Sequence, residues 1–275
     1  MFLKTFGEAC DKTGWQVHAY CLMRNHFHLV VETPRANLVA GMKWLLGTYT
    51  ARFNRRHKYF GHLFSGRYKS LIVDGSGTGY LRTVCDYVHL NPARAKLLKQ
   101  GHQLRDYPWS SYPAYLKARS GRPKWLRVDR VLGEAGIPKD SPAGRKEFYK
   151  QMELRRWEDH PEIWKEVRRG WALGSEEFRK ELLEAVTTGN HECVNGEEVR
   201  ESEEQRAEKA LREGLAKSGW TKRELRTARK GHPVKLKLAR RLRAETTMTW
   251  EWIARQLHAG AWRSLVARIR ETARK

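Results

Sequence analysis

The chain has 275 residues, 40% of them hydrophobic, and carries 54 Lys+Arg against 31 Asp+Glu for a formal net charge of +23. That length suits one large domain or two or three small ones, and that charge predicts an anionic polymer as partner, most simply nucleic acid held through its phosphates. The four cysteines, Cys10, Cys21, Cys85 and Cys193, form no C-x-x-C pair. They read as reduced thiols of a cytosolic protein, which argues against a disulfide scaffold. The N-terminus lacks a signal-peptide pattern, and no apolar run is long enough to span a bilayer, so the expectation is a cytoplasmic protein with no membrane partner.

The charge is unevenly placed. Residues 1–120 carry 18 Lys+Arg against 6 Asp+Glu, residues 121–219 carry 20 against 21, and residues 220–275 carry 16 against 4. Two basic regions around a neutral one predict two separate contacts with nucleic acid.

In chain order, Phe2, Phe6 and Ala9 are spaced for the buried face of a helix over 2–13, which Gly14 ends. Strands follow over 15–23 and 26–32, joined at Arg24-Asn25 as a tight hairpin. Thr33-Pro34 breaks the second strand. A helix then runs from Leu38 to Arg56, with Leu38, Met42, Leu45, Leu46, Tyr49 and Phe53 as its apolar stripe. Its basic end, Arg55 to Lys58, suits the negative pole of the helix dipole. Residues 62–74 read as a strand with Arg67 and Lys69 on one face, candidates for phosphate contact. Residues 78–90 read as a helix. Pro92 disfavours helical geometry at Asn91, which is expected at the helix boundary, capping a short turn over 93–98.

Residues 107–125 are aromatic and turn-rich, and packing over the core is the favoured reading. From Val128 to Gly219 the chain reads as polar helix, with 188–204 as a linker. A basic amphipathic helix over 234–245 precedes two more helices, at 250–257 and 261–272, separated by His258-Ala-Gly260. That spacing is that of a helix-turn-helix, with Ile253, Ala254, Leu257, Leu265, Val266 and Ile269 as core. Arg263, Arg268 and Arg270 then lie on its second helix. The chain so divides into 1–116, 117–219 and 220–275.

The chemistry centres on His26-Phe27-His28. Residues two apart on a strand share a face, so the two imidazoles are a ready pair of metal ligands. A bare His-x-His more often means two half-exposed histidines, and two ligands do not complete a site. Tyr87 and Asn91, four apart on one helix, can share a face and supply an attacking oxygen and a carbonyl ligand. Composition alone does not choose Tyr87 among ten tyrosines.

Three stretches, HAYCLMRNHFHLVVETP, GHLFSGRYKSLIVD and CDYVHLNPARAKLL, resemble successive motifs of the REP-associated tyrosine transposases. They occur in family order across residues 3–116. The resemblance implies an α+β fold of ferredoxin-like type, an antiparallel sheet flanked by helices. It implies His26, His28 and Asn91 as ligands of Mg²⁺ or Mn²⁺, and Tyr87 as nucleophile. It implies cleavage and joining of single-stranded DNA at palindromic hairpins through a 5′-phosphotyrosine, by a nucleoid-associated protein. Arg55, Arg56, Arg67, Lys69, Arg263 and Arg268 are the residues expected to touch DNA. Members usually begin with a strand of Y-H-V-x-x-R-G-N type before the first helix, whereas this sequence starts in the helix, and Arg24 stands where proline is common. The alternative reading is therefore a decayed DNA-binding protein that recognises hairpins without cutting. A homodimer, with tyrosine and histidines from one subunit or from two, is left open.

Overall fold

The structure is a computed structural model describing residues 1–77, 79–158, 161–187 and 203–272. In chain order the elements are α1 (Phe2–Thr13), β1 (Gln16–Leu22), β2 (Phe27–Glu32), α2 (Leu38–His57), β3 (Ile72–Val73) and α3 (Tyr80–Arg94). There follow α4 (Tyr112–Tyr115), α5 (Asp129–Glu134), α6 (Pro142–Arg155), α7 (Pro161–Arg169), β4 (Ala172–Leu173) and α8 (Glu176–Thr187). The last five are α9 (Glu203–Lys217), α10 (Lys222–Thr227), α11 (Pro233–Glu245), α12 (Trp250–Gln256) and α13 (Trp262–Glu271). The fold is mixed and mostly helical, consistent with the expected α+β class. Among the described residues no helix is long and apolar enough to cross a membrane. The linker read at 188–204 falls outside the described residues up to 202, as does Cys193. Cys10, Cys21 and Cys85 are free and buried.

Contacts divide the chain into two units that are discontinuous in sequence. One joins residues 15–32 to the stretch from Ser65 through α8. Here β1 and β2 pair antiparallel, with Cys21 opposite His28 and Leu22 opposite Phe27. The Met23 N–H donates to the His26 carbonyl at 2.8 Å, so Arg24-Asn25 is the connection, as expected. The register slips between Val17 and Ala19, which makes His18 a bulge residue.

The far edge of β1 is closed by the aromatic stretch. The Leu22 N–H donates to the Trp109 carbonyl at 2.8 Å, and the Ser111 N–H to the Tyr20 carbonyl at 2.9 Å. The Tyr115 hydroxyl donates to the His18 carbonyl at 2.6 Å, and the Tyr107 hydroxyl to the Leu22 carbonyl at 2.7 Å. Pairing that edge removes a row of open backbone groups and buries Tyr112 and Tyr115. Helix α3 packs against β1 and β2.

Two expectations are corrected in this unit. The strand expected over 62–74 shrinks to β3, which pairs in parallel with β4. Gly66, at φ +72, interrupts the extended backbone. Arg67 and Lys69 therefore stand exposed on irregular chain and share no strand face. Asn91 is not a cap, because α3 continues through it and Pro92 to Arg94. The Asn91 carbonyl still accepts from the Ala95 N–H at 2.9 Å, so Pro92 removes one donor without breaking the helix. The residues expected to turn separately, from Ala93, instead finish α3, and Lys96 at φ +54 turns the chain away.

His89, on α3, is fully buried and bonds the Ser111 hydroxyl at 2.8 Å through Nε2. Burial pushes its imidazole down to about 3. The folded form thus refuses a proton that the unfolded chain takes near pH 6.5, so stability from His89 is full above that pH and drains as pH falls toward 3. Between pH 6.5 and 5 this group is expected to cost about 2 kcal/mol. Urea denaturation of the wild type and of His89→Gln at both pH values checks this. The variant should lack that share of the acid-induced loss.

The other unit joins residues 1–14 and 33–64 to helices α9 to α13. The Arg52 guanidinium grips the Glu8 carboxylate at 3.1 and 2.7 Å, tying α2 to α1. Phe2 meets Tyr49 edge to face at 5.1 Å. Lys12, buried in α1, donates its ammonium to the carbonyls of Arg243, Ala244 and Thr246 at the end of α11. Those carbonyls are the ones a helix end leaves without partners. Burial lowers the Lys12 ammonium to about 8, and the Trp44 ring lies 5.0 Å away. Ile253, Ala254, Leu257 and Leu265 are buried between α12, α13 and their neighbours as expected, while Val266 and Ile269 are half-buried.

Candidate active site

The hairpin and α3 bring three of the expected residues together. His26 lies in the turn, one residue before β2 begins, and not on the strand itself. It is exposed, with Nδ1 2.8 Å from the Asn25 side-chain oxygen. His28 is half-buried, and its ring centroid is 4.9 Å from that of His26, nearly perpendicular. The Tyr87 ring is 5.8 Å from that of His28. Burial pushes the His28 imidazole down to about 4, helped by His26 and Arg94. It is neutral at physiological pH, the form that can donate a lone pair to a cation.

Tyr87 is held by its ring. The Arg94 guanidinium sits 4.7 Å from the ring centroid, and Trp164 of α7 packs at 5.6 Å. Arg94 also lies 4.8 Å over the Trp164 ring, so one cation bridges two aromatic faces. The residue before Tyr87 fixes the helix. Asp86 is buried and faces Arg155 and Arg82, the latter at 3.5 Å. Burial raises the Asp86 carboxyl to about 6 against the opposing pull of those guanidiniums.

Asn91 stands one turn after Tyr87, 8% exposed, and its side-chain Nδ2 is buried without a hydrogen-bond partner. The unmatched group is an N–H donor, which suits an anionic oxygen, whereas a cation would be met by the Asn91 side-chain oxygen. Among the described residues no three His, Cys, Asp or Glu side chains gather at one point. A cation at the histidine pair would therefore need the Asn91 amide, water or a substrate oxygen to complete its shell. That donor set fits an ion that keeps part of its hydration.

The basic residues separate. Arg55 at the end of α2 and Arg263 of α13 line one recess of about 260 Å³ together with Trp262, Val266, Ala267 and Arg270. Arg268 is not part of it. Its chain lies against Gly231, half-buried, with Nη1 lacking a partner. Arg56 is exposed beside Arg55, and Arg67 and Lys69 are exposed in the other unit.

Reading the sequence did not single out Arg94 or Trp164. Arg94 carried a signal, standing two turns beyond Tyr87 on the same helix. Trp164 carried none, since nothing local ties it to α3.

No curated protein and no solved structure matches the chain. Residues 1–91, which carry His26, His28, Tyr87 and Asn91, match the family model of IS200-like transposases, and the stretch that builds the site is by that measure similar to a transposase.

Proposed function

We propose that the protein is a metal-dependent endonuclease and strand transferase for single-stranded DNA, acting at hairpins as a REP-associated transposase does. The observation that carries this reading is the His28 ring in contact with those of His26 and Tyr87, at 4.9 and 5.8 Å. His26, His28 and Asn91 would hold Mg²⁺ or Mn²⁺. What such a cation supplies is polarisation of the scissile phosphate and relief of charge on the leaving 3′ oxygen. The Tyr87 hydroxyl attacks phosphorus, the bond to the 3′ oxygen breaks, and that oxygen leaves as a 3′ hydroxyl. The strand keeps a 5′-phosphotyrosine, which a second 3′ hydroxyl can displace to rejoin DNA. Arg94 keeps the phenol in place by holding its ring. Helices α12 and α13, with Arg263 and Arg268, would serve as the helix-turn-helix that grips duplex next to the cut. Arg55, Arg56, Arg67 and Lys69 would add phosphate contacts.

The test is a hairpin oligonucleotide with single-stranded flanks, incubated with protein and Mg²⁺ or Mn²⁺ and resolved on a denaturing gel. Nicking is expected in the single strand, with duplex left intact and with no cutting in excess EDTA. Cutting that survives EDTA overturns the reading. Tight binding without any cutting would favour the decayed, binding-only alternative.

A further inference from the structure

We propose that the loop closing α2 is a stacking platform for unpaired bases of single-stranded DNA, an inference that rests on the single-strand substrate proposed above. Lys58, at φ +56, turns the chain at the end of the helix. The Tyr59 N–H donates to the Asn54 carbonyl at 3.0 Å, and the Asn54 side-chain amide donates to the Gly61 carbonyl at 2.9 Å. The loop is thus pinned to the last turn of α2 from both sides. It nevertheless holds Tyr59 62% exposed and Phe60 97% exposed. Folding normally gains by burying such rings, so two held in water on a pinned loop are placed for a ligand.

The rings behind them continue the surface. Phe53 and His57 lie 4.3 Å apart, and His57 and Tyr59 lie 6.1 Å apart with planes within 27°. The sequence on either side is basic. Residues 33–64 contain six Lys+Arg and no Asp or Glu. Exposed aromatic faces among cations, with no carboxylate nearby in sequence, fit an anionic chain that carries flat rings. In a duplex those ring faces are already stacked, so the occupant is unpaired. A second copy of this loop would set like charge against like and is disfavoured on that ground.

The experiment measures binding of the full chain to a short oligo-dT, to a blunt duplex and to phosphatidylglycerol vesicles, all in EDTA so that no strand is cut. Wild type is compared with the double variant Tyr59→Leu, Phe60→Leu, which keeps apolar bulk at exposed positions but removes both π faces. Oligo-dT affinity should fall about tenfold or more, as loss of base stacking implies. Duplex affinity and the salt dependence should stay, because the arginines are untouched. Tyr59→Trp in place of the Leu change should restore binding. Unchanged oligo-dT affinity, or an equal loss on duplex, overturns the proposal. So does a wild type that ignores oligo-dT but binds vesicles, or self-associates, through these rings. Because binding is measured in EDTA, where no strand is cut, a failure of the tyrosine chemistry leaves this measurement intact.

Discussion

Tyr87→Phe is expected to abolish the covalent complex between protein and cleaved DNA and to lower cutting at least about 10³-fold, the scale on which enzymes suffer loss of a nucleophile. The substitution removes one oxygen. The contacts that hold residue 87 are ring contacts, to His28 at 5.8 Å, to Trp164 at 5.6 Å and to the Arg94 guanidinium at 4.7 Å, and phenylalanine keeps all three. Stability should therefore change by no more than about 1 kcal/mol. A 3′-labelled hairpin oligonucleotide decides the matter on a denaturing gel. The labelled fragment downstream of the cut should travel with wild-type protein and not with Tyr87→Phe. An adduct that persists in the variant assigns the chemistry to another tyrosine, and cutting by wild type with no adduct makes the mechanism hydrolytic.

The second large effect is expected at the histidine pair. His28→Ala and His26→Ala should each reduce cutting by more than about 100-fold, the upper range for losing even an outer partner of a metal ligand. Binding to DNA should survive, because it rests on phosphate contacts spread over many cations. Titration with Mn²⁺ followed by its electron paramagnetic resonance gives a readout independent of turnover. Wild type should take up the ion, both variants should take it up more weakly, and excess Mn²⁺ should restore part of the cutting. Full Mn²⁺ binding by His28→Ala would remove His28 from the ligand set. His26, exposed in the turn, can lose its ring with little cost to the fold, so its variant separates ligation from folding.

What the sequence revealed of this site follows from the range of the forces that build it. The hairpin was legible because alternation and a two-residue turn are local properties, and they set Cys21 opposite His28. The pairing of Tyr87 with Asn91 was legible because four residues make one helical turn. The limits of α3 were misread because the local preference of a residue before proline was overruled by packing against β1 and β2. The stretch 62–74 was misread for the opposite reason. Its alternating pattern is strand-like, but the partner it needs, β4, lies far downstream and reaches only Ile72 and Val73. Trp164 and the meeting of Arg55 with Arg263 are tertiary facts with no short-range trace.

The ammonium of Lys12, lodged on the last carbonyls of α11, sets an order of events for a chain made from its N-terminus. Residues 15–32 and the stretch through α8 form one contact unit, and they can close while the ribosome is still at work. Helix α1 is not complete at that point, because the acceptors of its buried Lys12 arrive with α11. Until then Lys12 has no acceptors to draw it out of water. The early product is a finished insert carried between two unfinished ends. A frameshift or stop codon late in the gene would therefore strand the first helix as surely as a lesion within it, and shortened proteins should be cleared by proteolysis instead of persisting as free catalytic fragments.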